Sequence, residues 1–208
     1  SDATDFGDLI TAVKHNSGCA NTTRGLSGGG VTSGYVDTIE YVTIQTPSGG
    51  TDFGNLAATN GGAASLADAT RGIWAGGYEG GNSDRIQYVT IARAGNSSDF
   101  GNLTVGQRMN CGCADATRGL IAGGETSGYS NVINYITIQT TANATDFGDL
   151  TAAKQEMGAC ANPTRAVFGG GSTGSPINVI EYVTVQTTGN GTDFGDITVA
   201  RRSLSGLA

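Results

Sequence analysis

The groups in this chain that could do chemistry are one histidine, four cysteines, and a set of arginines and aspartates that return at a fixed interval. Arg24, Arg71, Arg118 and Arg165 could together ring an anion. A residue supplied by every unit more simply serves every unit, so each is expected to bond a neighbouring carbonyl, or a carboxylate such as Asp52 or Asp99. Asp5-Phe6-Gly7-Asp8, Asp146-Phe147-Gly148-Asp149 and Asp193-Phe194-Gly195-Asp196 offer paired carboxylates. Calcium wants about six to eight oxygens, more than one unit provides, so turn capping is the expected role. The Asp-Phe-Gly letters also occur in kinases, but tandem copies without the companion motifs make that match coincidental.

Cys19, Cys113 and Cys160 share a repeat position that Leu66 fills in the second unit, which marks an apolar slot, and Cys111 lies two residues before Cys113. Structural zinc needs four converging ligands; His15 stands alone and no cysteine pair has two to four residues between its members. Neither a metal nor a cofactor is expected. Disulfides stay open, because four cysteines allow three pairings. Serine-histidine-aspartate chemistry would have a single base in a loop, and Lys14 and Lys154 are matched to no recurrent acid. A non-enzymatic protein is expected.

These groups are positioned by a repeat. Phe6, Phe53, Phe100, Phe147 and Phe194 are successive multiples of one step, and the same step carries Tyr41 to Tyr88, Tyr135 and Tyr182. The glycine doublets ending at Gly30, Gly77, Gly124 and Gly171 follow it too, with no insertion or deletion. A period in this range signals a stacked or radial array, so residues 1–208 form one array of four complete units flanked by part of a fifth. The chain begins partway through a unit and without Met, and is expected to be a segment of a longer polypeptide.

Composition narrows the class further. The 35 glycines fall on the long period and not at every third residue, which excludes collagen. A net charge of −7, with no basic cluster beyond Arg201-Arg202, argues against nucleic-acid phosphates and anionic membrane surfaces as partners. No apolar run approaches the length of a membrane span, so membrane insertion is not expected.

Within the fourth unit, Gly158 to Ala161 and Arg165 to Phe168 read as two short strands around an Asn162-Pro163-Thr164 turn. Val179 to Gln186 and Asp193 to Thr198 read as two more. Four strands joined by Gly- and Asn/Asp-bearing turns, without helical periodicity, predict a four-stranded antiparallel meander. The third strand is apolar on both faces, with Ile39 and Tyr41 on one side and Val42 and Ile44 on the other. Such a sheet needs cover on both sides, which radial blades provide; a linear β-solenoid is the alternative, though its repeats are usually shorter. Counting a lone fourth strand near Phe6 and a lone first strand from Leu204 to Ala208, the reading gives eighteen strands. Either a longer chain supplies the rest of that blade, or the two ends fit irregularly around four; the first is expected.

A glycine doublet ending the second strand, a tyrosine in the third and a large aromatic in the fourth resemble the landmarks of kelch repeats. The chain departs from that pattern in carrying Phe6, Phe53, Phe100, Phe147 and Phe194 where tryptophan is common. Units with Thr-Arg-Gly before the glycines and Tyr-Val-Thr-Ile before Thr-Asp-Phe-Gly are similar to tandem repeats in virion proteins of tailed phages, particularly marine and cyanobacterial ones. The resemblance covers the whole chain. It implies an all-β, kelch-like β-propeller of 47-residue four-stranded blades, four full blades plus part of a fifth, in a virion protein of the tail or fibre. Other virion proteins would be its partners, with a host-surface glycan or protein as a further one.

Comparing units locates what is free to specialise. The turns joining first to second strands hardly vary, whereas the loops joining second to third diverge: Val31 to Tyr35, Tyr78 to Asn82, Glu125 to Tyr129 and Ser172 to Pro176. The connections between units diverge as well, including Lys14-His15-Asn16 and Arg108-Met109-Asn110. In a meander those two varied sets share one face. Loops on a rigid scaffold are where recognition usually resides, so Tyr35, Tyr78, Glu79, Arg108 and Tyr129 are the candidate binding residues. Drift in unconstrained solvent-exposed loops would give the same variation. A particle spacer and a cellular kelch-like interaction module remain the alternatives to attachment.

Overall fold

A computed structural model of the chain describes residues 2–206. Among these residues sixteen strands form, and no helix. The first sheet is β1 (Ser17–Ala20), β2 (Arg24–Gly28), β3 (Val36–Thr43) and β4 (Thr51–Asn60). The second is β5 (Ala64–Ala67), β6 (Arg71–Ala75), β7 (Arg85–Thr90) and β8 (Ser98–Asn102). The third is β9 (Cys111–Ala114), β10 (Arg118–Ala122), β11 (Val132–Thr137) and β12 (Thr145–Asp149). The fourth is β13 (Gly158–Ala161), β14 (Arg165–Gly169), β15 (Ile177–Thr184) and β16 (Thr192–Arg201). Each sheet is an antiparallel meander in chain order.

The first turn of each sheet is built by an Asn or Asp side chain. Asp115 Oδ1 accepts the amides of Thr117 and Arg118, and Asn21, Asp68 and Asn162 do the same in their units. Such an Asx turn satisfies two amides that a two-strand reversal would leave open. The last pairing of each sheet carries a bulge at one repeat position. Ile133 faces Gly148 while Asn134 faces Asp146, so Phe147 has no residue opposite, and Phe53, Phe100 and Phe194 are placed alike. An extra residue re-aims its side chain. The glycine after each Phe takes the φ the bulge requires, near +141° to +143° in the first three sheets. A Cβ on Gly101 would sit 2.4 Å from the Ala142 carbonyl oxygen, so the next unit's turn closes directly over it.

The re-aimed rings fill the spaces between sheets. One core joins Leu26, Ile39 and Phe53 to Trp74, Val89 and Ile91 across the first and second sheets. Equivalent cores lie between the second and third and between the third and fourth. Each Phe meets the Tyr of its own sheet edge-on, at centroid separations from 5.8 to 6.0 Å. Size is matched across each interface: Gly28 lies against Trp74, while Ala75 and Ala122 share cores with Ile121 and Phe168.

The first strands of the four sheets and the C-terminal segment line one common cavity. Gly18, Ser65, Gly112, Ala159 and Gly206, each one repeat step from the next, line a cavity of about 430 Å³. The connections between units are linked in series: Gly62 donates to the His15 carbonyl, Met109 to Gly62, Glu156 to Met109 and Ser203 to Glu156, at 2.7 to 3.0 Å. His15, Met109, Glu156 and Ser203 hold φ between 53° and 58° to do so, a left-handed backbone that costs non-glycine residues roughly 1 kcal/mol or more each.

Two of the eighteen expected strands are not seen among the described residues. The segment around Phe6 and residues 203–206 lie where a fourth and a first strand would, but neither has a neighbouring strand to exchange hydrogen bonds with. Leu207 and Ala208, the rest of the expected last strand, lie outside the described residues.

Candidate functional site

The antiparallel meander places the loops between second and third strands beside the connections between units. Backbone bridges confirm the pairing: Lys14 with Val31, Gly61 with Tyr78, Arg108 with Glu125, and Gln155 with Ser172. The two varied sets thus lie side by side, as the meander order of the strands predicts.

On that face the structure assembles a continuous row. The Tyr35 and Tyr78 rings lie 5.1 Å apart at an interplanar angle of 33°. The Arg108 guanidinium sits 5.1 Å from the centroid of Tyr78. Its far side is held by Glu125, with Nη2 donating to Oε1 at 2.9 Å and Nε to Oε2 at 3.3 Å. The Glu125 hydrogen bond keeps Arg108 above its ordinary pKa against the opposing effect of partial burial. Loops of adjacent units are tied further by Asn82, whose side-chain amide donates to the Glu125 and Thr126 carbonyls.

Glu79 lies beside this row and not in it, pairing with Arg85 at 3.4 Å and accepting from Asn60. Tyr129 stands apart. It occupies the position of Tyr35 two units on, but the residue corresponding to Tyr78 there is Ser172, so its exposed ring has no aromatic neighbour among the described residues. Three of the five sequence candidates, Tyr35, Tyr78 and Arg108, come together. Glu125 completes the row; its counterpart two repeat steps earlier is the apolar Val31, so comparison of the units carried no signal of the Arg108–Glu125 pair.

The recurrent arginines behave as a framework. Arg24 Nη1 donates to the Ile91 carbonyl, Arg71 to Ile138 and Arg118 to Val185, each just past the third strand of the next unit, at 2.8 to 3.0 Å. Their expected carboxylate alternatives, Asp52 and Asp99, are not partners; the carbonyls are. Each guanidinium also covers the tyrosine of its own sheet at 4.4 to 4.5 Å, including Arg165 over Tyr182. That stacking consumes the ring's face, while Phe takes its edge.

A second recurrent device escaped the sequence reading. The polar residue in each third strand reaches back to the preceding unit, in or just past its fourth strand: Gln87 Oε1 accepts the Ala57 amide, Asn134 Oδ1 that of Thr104, and Glu181 Oε2 that of Thr151. Positions 40, 87, 134 and 181, polar in an otherwise apolar strand, were its available signal. Lys154 is also corrected: it pairs with Glu181, and both side chains are fully buried. The two are separated by most of a unit, so no short motif links them. The cysteines are free thiols. Burial pushes Cys19 and Cys111 up to about 12 and Cys113 well above its ordinary value, which suits an apolar slot and not a nucleophile.

The face therefore offers aromatic faces with hydroxyls beside a guanidinium-carboxylate pair, a combination fitted to stacking and hydrogen bonding with a sugar ring or a protein surface. No family model matches the chain, and no curated protein sequence does.

Proposed function

We propose that this array closes as a kelch-like β-propeller and acts as a non-enzymatic binding module of a phage-type virion, with the varied loop face directed at a host-surface glycan or protein. The convergence of five equivalent positions on one cavity supports radial closure. The wording of the units supports the phage assignment. The observation that carries the binding reading is the row Tyr35, Tyr78, Arg108 and Glu125, four side chains from three units held together on the face where the units differ.

The test is the triple variant Y35A/Y78A/R108A, compared with the parent for glycan-array binding and for adsorption to host cells. A folded variant that loses about tenfold or more in affinity supports the assignment, the size expected when a few aromatic and arginine anchors carry an interface. Unchanged binding sinks it. A spacer role, in which the propeller only docks to neighbouring virion proteins, is favoured by one feature: the same row ties loop to loop. A particle reconstruction with this face buried against its neighbours would decide for the spacer.

A further inference from the structure

Each interface between sheets uses the same set of contacts, and at the two ends of the array that set is half made. The trailing face of the fourth sheet shows this first. Val167, Ile180 and Ile197 are partly exposed and Phe194 is 56 % exposed, whereas Leu120, Ile133, Leu150 and Phe147, one step earlier, are all buried by the next sheet. Arg165 covers Tyr182 as its counterparts do, yet among the described residues it finds no carbonyl in place of Ile91, Ile138 and Val185. At the other end Phe6, 38 % exposed, has no tyrosine against its edge.

The chain's own ends already occupy two places of the absent sheet. The N-terminal segment lies on the first sheet as β4 lies on the second: Ile10 donates to Glu40 as Ala57 does to Gln87, and Gly50 donates to the Asp8 carbonyl as Ser97 does to Asn55. Residues 203–206 lie on β13 as β9 lies on β5, with Ser203 bonded to Glu156 and Gly206 set against Ala159. An outer place and an inner place are filled, and among the described residues no strand lies between them.

We infer that this gap is a docking site for a β-hairpin of the same repeat, supplied by a separate chain segment, which inserts between residues 203–206 and the Phe6 segment and completes a fifth sheet. Its tyrosine would meet the edge of Phe6, its arginine would reach the Ile44 carbonyl, and the carbonyl after its third strand would receive Arg165. Its outer face would cover Phe194 and Ile180. A whole sheet from a second copy does not fit this gap, because its first and fourth strands would collide with the two segments already there. The inference rests on the radial closure proposed above and is independent of what the loop face binds.

A peptide spanning Thr117–Gln139 carries the second strand, loop and third strand of the third unit and serves as the probe. Titrated into the 208-residue chain, it is expected to bind one to one and to slow hydrogen exchange at the amides of residues 5–10 and 203–206. At about 100-fold over its Kd it should raise Tm by roughly 5 to 10 °C. F194D in the protein should abolish the effect. Because a free hairpin is marginally stable, a second form carries the same segment on a flexible linker after Ala208, against a scrambled-sequence control. No gain of protection or Tm over that control overturns the proposal. So does exchange protection of β16 that rises with the chain's own concentration and is not displaced by the peptide, which would assign the face to a second copy.

Discussion

Asp68 and Asp115 show how one carboxylate can serve both a turn and an interface. Burial pulls each carboxyl upward, but amides from the Arg and Thr of the turn, the Thr hydroxyl and a glutamine of the next sheet together hold it below its ordinary value. The glutamines are Gln139 for Asp68 and Gln186 for Asp115, so the charge of the turn is read by the neighbouring unit. A carboxylate with a lowered folded pKa stabilises the fold above its unfolded value of about 3.9, and that stability is lost as pH falls through the folded value. The variant D68N/D115N keeps an oxygen for the turn, as Asn21 and Asn162 already do, but removes the titration. Urea midpoints measured from pH 6 down to pH 2 should fall less steeply for it than for the parent; parallel curves would show that the two carboxylates do not titrate with folding.

At the scale of elements, the chain spells out its strands and hides how neighbouring sheets hold one another. All four strands of a unit were legible from short runs bounded by Gly and Asn/Asp turns, the first of the fourth unit to its ends at Gly158 and Ala161. Varied and uniform faces were legible too, because topology alone sorts the loops. The contacts of Arg24, Arg71 and Arg118 were half legible: recurrence implied a structural role, but a carbonyl 67 residues on leaves no residue type to recognise. Lys154 and Glu181 were invisible for the same reason, being joined only when two sheets stack. The match of Gly28 to Trp74 lies in that hidden class. A Cβ on Gly28 would stand 2.7 Å from Trp74 Cε2, closer than the ring can yield without repacking. G28A should therefore cost about 1–3 kcal/mol through overpacking. Combined with W74I, which reproduces the Ala75 and Ile121 arrangement of the next interface, the two changes should cost less than their sum by about 1 kcal/mol. Urea denaturation of the four proteins in the cycle measures that coupling, and strict additivity would refute the contact.

Across the whole molecule, stability in a chain of like units is a sum of unit terms and neighbour terms, so a position counts according to how many neighbours it has. Phe147 and Phe194 test this directly, since they share a repeat position, a bulge and an edge-on tyrosine, and differ in having a sheet beyond them. Phe147 is 2 % exposed and Phe194 56 % exposed. F147A should cost about 3–5 kcal/mol, the range for deleting a buried ring, and F194A about 1 kcal/mol, chiefly the loss of its contact with Tyr182. The same asymmetry should appear as a gradient in native-state hydrogen exchange, with β6, β7, β10 and β11 exchanging only on global unfolding and β15 and β16 opening at lower free energy. If the linked hairpin completes a fifth sheet, it changes one of these numbers and not the other. The cost of F194A should then rise toward that of F147A, because the ring acquires the neighbour it lacks, while the cost of F147A stays as it was.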